Sequence, residues 1–97
     1  MRVIARSALR EYWDVHPDVK QPLLTWYRDT RAATWSTYNE LKRDHPSASI
    51  HPEHRVVFNI EGNRYRLIVL FNLRKQRCYI RFVGTHPEYD KVDANTV

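Results

Sequence analysis

The chain changes character at Val56. From there to Gly84, β-branched and aromatic residues alternate with charged ones in three runs, and Gly62-Asn63 separates the first two. A period of two marks strands with one buried face, and a Gly-Asn pair is a tight-turn signal. Val56–Glu61 and Arg64–Phe71 therefore read as a hairpin. Cys78–Gly84 reads as a third strand after the charged loop Asn72–Arg77. Tandem strands with short connections pair antiparallel, and their apolar face must be covered by something else in the chain.

The first half supplies that cover. Ser7 reads as an N-cap, with Leu9, Tyr12 and Trp13 on one helical face. His16-Pro17 breaks this helix. Asp18 with Gln21 then reads as a capping box opening a second helix, on which Val19, Leu23, Trp26, Tyr27 and Thr30 form a stripe. Thr37 with Glu40 opens a short third helix that ends by His45-Pro46. Ser47–His54 reads as a polar connection. Arg2–Ala5 is a short apolar stretch that is a strand only if a later strand pairs with it. Thr85 with Glu88 opens a last short helix through Lys91, followed by a frayed tail to Val97. The order β-α-α-α-β-β-β-α predicts one α+β domain over 1–97, with N-terminal helices on one face of a small, mainly antiparallel sheet.

Composition narrows the partners. The net charge is +5, from 16 basic and 11 acidic residues. The excess is concentrated: Arg55, Arg64, Arg66, Arg74, Lys75, Arg77 and Arg81 stand against the single acid Glu61. Such a run suits a polyanion or a merely solvated basic surface. The lone Cys78 excludes an internal disulfide, and no signal peptide or apolar span of about 20 residues is visible. The expected location is cytoplasmic, without a membrane partner.

Strand alternation then sorts side chains by face. Cys78, Ile80 and Phe82 are expected on one face and Tyr79, Arg81 and Val83 on the other. Arg66 and Arg81 fall together on the uncovered face. Two guanidinium groups there suit a phosphate clamp, or each pairs with an acid such as Glu61, Glu88 or Asp90. Beyond Arg81 the run ends in Thr85-His86-Pro87-Glu88-Tyr89-Asp90. An imidazole transfers protons near neutrality, and a tyrosine stacks on a base or donates to a phosphate. The plain alternative is a helix cap with an exposed histidine. His16, His45, His51 and His54 read as surface loop residues, since no four-ligand zinc set accompanies them.

At Val57-Phe58-Asn59-Ile60, Gly62-Asn63, Tyr65-Arg66-Leu67, Tyr79-Ile80-Arg81 and Thr85-His86-x-Glu88-Tyr89-Asp90 the sequence resembles the HigB-type toxins of the RelE-like superfamily. The likeness extends over nearly the whole chain. It implies a RelE-like fold and a type II toxin that cuts messenger RNA, usually on the ribosome, with no cofactor and no metal. It also implies a cognate helix-turn-helix antitoxin of the HigA type. Through this resemblance His86, Arg66, Arg81, Tyr89 and Glu88 are the catalytic candidates, cleaving through a 2′,3′-cyclic phosphate. Arg55, Arg64, Arg74, Lys75, Arg77 and Lys91 are the candidates for contacting RNA. Two other readings stay open: a gyrase poison of the same fold, and an RNA-binding module without catalysis.

Overall fold

Three long strands make the frame, in a computed structural model that describes residues 1–97. They are β3 (Arg55–Ile60), β4 (Tyr65–Asn72) and β5 (Arg77–Thr85), each within a residue of its expected bounds. The 61–64 connection is tight because Glu61 and Gly62 both take left-handed backbone, with φ of 52° and 64°. The first strand, β1 (Arg2–Ile4), does find its partner: it pairs parallel with β5, Val3 opposite Cys78. A further strand, β2 (Ser49–His51), pairs antiparallel with β3, inside the stretch expected to be a plain connection. Three polar-flanked residues carry no alternation, so only the edge of β3 makes them a strand. The sheet order is β1-β5-β4-β3-β2.

Helices α1 (Ser7–Val15), α2 (Lys20–Ala32) and α3 (Tyr38–Asp44) cover one face. Leu9, Leu23, Trp26 and Leu41 pack there with Phe58, Leu67, Val69, Phe71, Cys78 and Ile80 in one buried cluster. Burying such side chains stabilises the fold by about 1.5–3 kcal/mol each. Two expected caps are not made. Ser7 is already helical, and the α1 cap position, Arg6, has no side-chain bond. Asp18 sits in a 3-10 turn, Pro17–Val19, and its carboxylate serves Tyr65 instead of α2. Thr37 does cap α3, accepting from Glu40 N at 3.2 Å, while Glu40 turns to Ser36. His45 is not a surface histidine: it is half-buried, with its ring edge-on to Trp35 and Phe58.

The strand parity expected for β5 breaks at Arg81. Ile68 pairs with Phe82, but Val69 pairs with Ile80, so Arg81 is the extra residue of a bulge. Phe82 therefore turns away from the helices and Val83 turns toward them. The open face is not bare either. The tail expected to fray instead lays Ala94 over Val57 and Ile68, with Phe82, Tyr89 and Val97 packed around them. The last helix, α4 (His86–Tyr89), is one turn long and stops short of Lys91.

Candidate active site

The end of β5 and the start of α4 are held by an intact capping box. Thr85 Oγ1 accepts from Glu88 N at 3.3 Å, and Thr85 N donates to Glu88 Oε1 at 2.8 Å. The same Oε1 accepts from Tyr12 Oη of α1 at 3.0 Å, a link across 76 residues. These donors, the Thr85 N–H first, hold the Glu88 carboxyl below its ordinary pKa. Burial, and then the Glu88 carboxylate, push the Tyr12 phenol well up. Both groups are thus held in the forms that make their hydrogen bond. Tyr12 also stacks on His16 at 4.4 Å between ring centroids and meets Tyr65 edge-on. Tyr65 Oη in turn donates to Asp18 Oδ2 at 2.6 Å, which lowers the Asp18 pKa and raises that of Tyr65. A polar chain under the sheet end therefore fixes where α4 begins.

That anchoring sets the position of His86. Its backbone N–H donates to Arg64 O at 3.0 Å, tying the first residue of α4 to β4. Its Nδ1 lies 3.2 Å from Asp90 Oδ2. An ionised aspartate only accepts, so in the neutral ring this contact assigns the proton to Nδ1 and the lone pair to Nε2. Nε2 makes no hydrogen bond within the chain, and the side chain is 43% exposed. The His86 ring lies edge-on to Tyr89, centroids 6.4 Å apart. The Arg66 guanidinium lies over the Tyr89 ring, 5.7 Å from its centre. Tyr89 thus links Arg66 to His86, all three half-buried, with the exposed Asp90 beside the imidazole at the rim of the open face. From sequence Asp90 is expected only as an alternative acid partner for Arg66 or Arg81, although its i,i+4 spacing from His86 is a usable signal.

The remaining candidates are spread. Arg81 shares the open face with Arg66, but the Ile68–Phe82 rung lies between them along the ladder. The two share no partner: Arg66 Nη1 donates to Asn63 O, and Arg81 Nε to Val97 O. The expected joint clamp is therefore not formed. Arg55 Nε also donates to Val97 O. Arg64 is paired with Asp18 and Glu61 at 3.6 and 3.7 Å, exposed contacts of small energetic weight. Lys91 is exposed just beyond α4. Arg74, Lys75 and Arg77 sit at the far end of the β4–β5 hairpin, about eight residue steps or roughly 26 Å from His86. The largest concavity, about 680 Å³, lies at that far end, lined in part by Tyr38, His54, Leu70, Arg74 and Tyr79. It holds none of the His86 cluster, as suits a site that meets an extended polymer on an open surface.

A small sheet with helices on one face and a basic, histidine-bearing rim on the other is the layout of a compact toxin domain. The chain belongs to the family described as HigB toxin, RelE-like toxic component of a toxin–antitoxin system, whose pattern matches residues 19–92. Among its relatives, the mRNA interferase toxin HigB of Escherichia coli strain K12 is 30% identical over 92 residues, spanning 93% of this chain and 88% of its own. The mRNA interferase HigB of Shigella flexneri is equally similar. The mRNA interferase HigB of Escherichia coli O6:H1 is 24% identical over 94 residues, covering 95% and 91% of the two chains.

Proposed function

We propose that this toxin is an mRNA interferase that cuts messenger RNA at the His86 cluster, on the ribosome. The observation that carries the reading is the His86–Asp90 pair: Asp90 holds Nδ1, which leaves Nε2 without a partner in the chain, and Tyr89 contacts both the imidazole and Arg66. A passive RNA-binding face needs no oriented imidazole. A gyrase poison needs none either.

RNA carries its own nucleophile. His86 Nε2 takes the proton of the 2′-hydroxyl as the 2′-oxygen attacks the adjacent phosphorus. The bond to the 5′-oxygen breaks, and that oxygen leaves with a proton from the Tyr89 hydroxyl. The products of this step are a 2′,3′-cyclic phosphate and a free 5′-hydroxyl. Water then opens the cyclic ester, giving a proton to the Tyr89 phenolate as it attacks phosphorus, while the departing 2′-oxygen takes a proton back from the His86 imidazolium. Asp90 stabilises the imidazolium formed when His86 is protonated, and Arg66 balances charge building on the phosphorane oxygens. Glu88 is a positioning residue, because its carboxylate is already taken by Thr85 and Tyr12. Arg81 and Arg55 take the RNA backbone further along the open face. Arg64, Arg74, Lys75, Arg77 and Lys91 contact RNA around the site, including ribosomal RNA. A helix-turn-helix antitoxin of the HigA type holds the toxin inactive in the cytoplasm.

Inducing the chain in cells and mapping message ends by primer extension tests the reading. Growth arrest with messages cut at defined sites is the expected result. Intact messages with DNA damage would replace it with the gyrase reading, and no arrest would leave a plain binding module.

A further inference from the structure

Arg55 and Arg81 come from strands on either side of β4, yet both aim Nε at one atom. The backbone oxygen of Val97 accepts from Arg55 at 2.9 Å and from Arg81 at 3.3 Å. No Asp or Glu carboxylate pairs with either guanidinium. The chain reaches them because the segment after α4 crosses the open face. Ala94 is buried on Val57 and Ile68, and Asn95 Oδ1 lies 3.1 Å from His51 Nδ1. The Thr96 and Val97 N–H groups close a turn onto Asp93 O at 3.1 and 3.0 Å.

We propose that Arg55 and Arg81 form a seat for a phosphodiester oxygen of single-stranded RNA, and that the Val97 backbone oxygen occupies this seat until RNA displaces it. The inference rests on the RNA-cleaving reading for its choice of polyanion. Two guanidinium groups converging on one oxygen are the donor set a phosphate takes. Without the Val97 oxygen or an anion, two like charges would face each other across β4. The segment in the way is lightly held. Of residues 94–97 only Ala94 is buried and Val97 is half-buried, so few buried contacts hold the segment. Arg55 stands opposite Leu70, four residues along β4 from Arg66, or roughly 13 Å. The seat therefore lies away from the His86 cluster. It is a site for holding the strand, separate from the chemistry.

The test uses a 2′-O-methyl RNA oligonucleotide, which cannot be cut. Binding is measured by fluorescence anisotropy across a salt series for the full chain, for a chain lacking residues 96–97, and for Arg55→Gln/Arg81→Gln. The shortened chain is expected to bind roughly three- to tenfold tighter, since the open state no longer competes with a closed one. The double variant is expected to bind more weakly, with a salt slope smaller by about 0.7, the value of one single-strand phosphate. In the intact protein the oligonucleotide should shift the Val97 and Asn95 amide resonances. An unmoved Val97 amide overturns the proposal, and so does equal affinity of the full and shortened chains when both are folded. If the shortened chain fails to fold, the Val97 resonance decides alone. Tail release by an oligonucleotide whose 2′-hydroxyl form is never cut would keep the seat and reject the nuclease.

Discussion

Replacing Glu88 separates holding the site from doing its chemistry. The carboxylate accepts from Thr85 N at 2.8 Å and from Tyr12 Oη at 3.0 Å. Glu88→Ala removes both hydrogen bonds at once. Losing a helix cap costs about 1 kcal/mol, and losing a typical solvent-accessible hydrogen bond about 0.5–1 kcal/mol. For a domain of this size each kcal/mol moves Tm by roughly 4–8 °C, so Glu88→Ala should melt about 6–15 °C lower. Its cleavage should fall too, because His86 and Tyr89 are placed by the turn that Glu88 closes. Glu88→Gln keeps an accepting oxygen where the carboxylate was. It should melt within about 4 °C of the parent and cleave within about threefold, a barrier change under ~1 kcal/mol. A carboxylate acting as the general base would instead be worth about 10²–10⁴ in rate. The acid limb of stability gives a second readout. The folded Glu88 carboxyl is depressed, so its stabilisation is complete above the unfolded value of about 4.3 and is lost as pH falls through the folded one. Glu88→Gln should flatten that limb. Circular-dichroism melting and single-turnover cleavage on programmed ribosomes supply the numbers. A folded Glu88→Gln protein that has lost a hundredfold in cleavage would refute the positioning role.

Three further perturbations test other parts of the fold. A Cβ on Gly84 would lie 2.5 Å from Phe82 Cζ and 3.2 Å from Glu88 Cβ, so Gly84→Ala should cost about 1–3 kcal/mol by overpacking. An unchanged denaturation midpoint would show that Phe82 moves freely. His45 is pushed down by burial, against the opposing pull of Asp29 and Asp44, so it folds neutral. Stability should be full above the unfolded histidine value of about 6.5 and decline as pH falls below it, and His45→Phe should remove that decline in urea titrations. Burial pushes the Cys78 thiol up to about 12, so it should resist thiol reagents until the protein unfolds. Rapid labelling of the folded protein would contradict the buried position of β5.

What could be read in the sequence was what is local. Alternation between Val56 and Gly84 located three strands to within a residue, and Thr85-x-x-Glu88 announced its capping box. Asp18 failed as a cap because Tyr65, 47 residues away, competes for its carboxylate and lies in a partly buried site. The β5 bulge escaped because alternation carries no mark of an inserted residue: Arg81 is polar on either parity, and Phe82 and Val83 are both apolar. Ser49–His51 became a strand through the edge it meets, and the polar tail through the patch of Val57 and Ile68 it covers. His86, Tyr89 and Arg66 were candidates through the resemblance, since residue type alone also fitted a plain helix cap and a paired arginine. That Asp90 orients the imidazole, and that Tyr12 of the first helix steadies the last, depends on tertiary contacts.

Cleavage of a ribosome-bound message by His86→Gln bears most directly on whether an oriented imidazole at the rim of the sheet does the chemistry. The exchange removes the Nε2 base without changing the charge of the neutral ring. A drop of about 10²–10⁴ in single-turnover rate is expected, with the fold and antitoxin binding retained. Cleavage at the parent rate by that folded variant would contradict it.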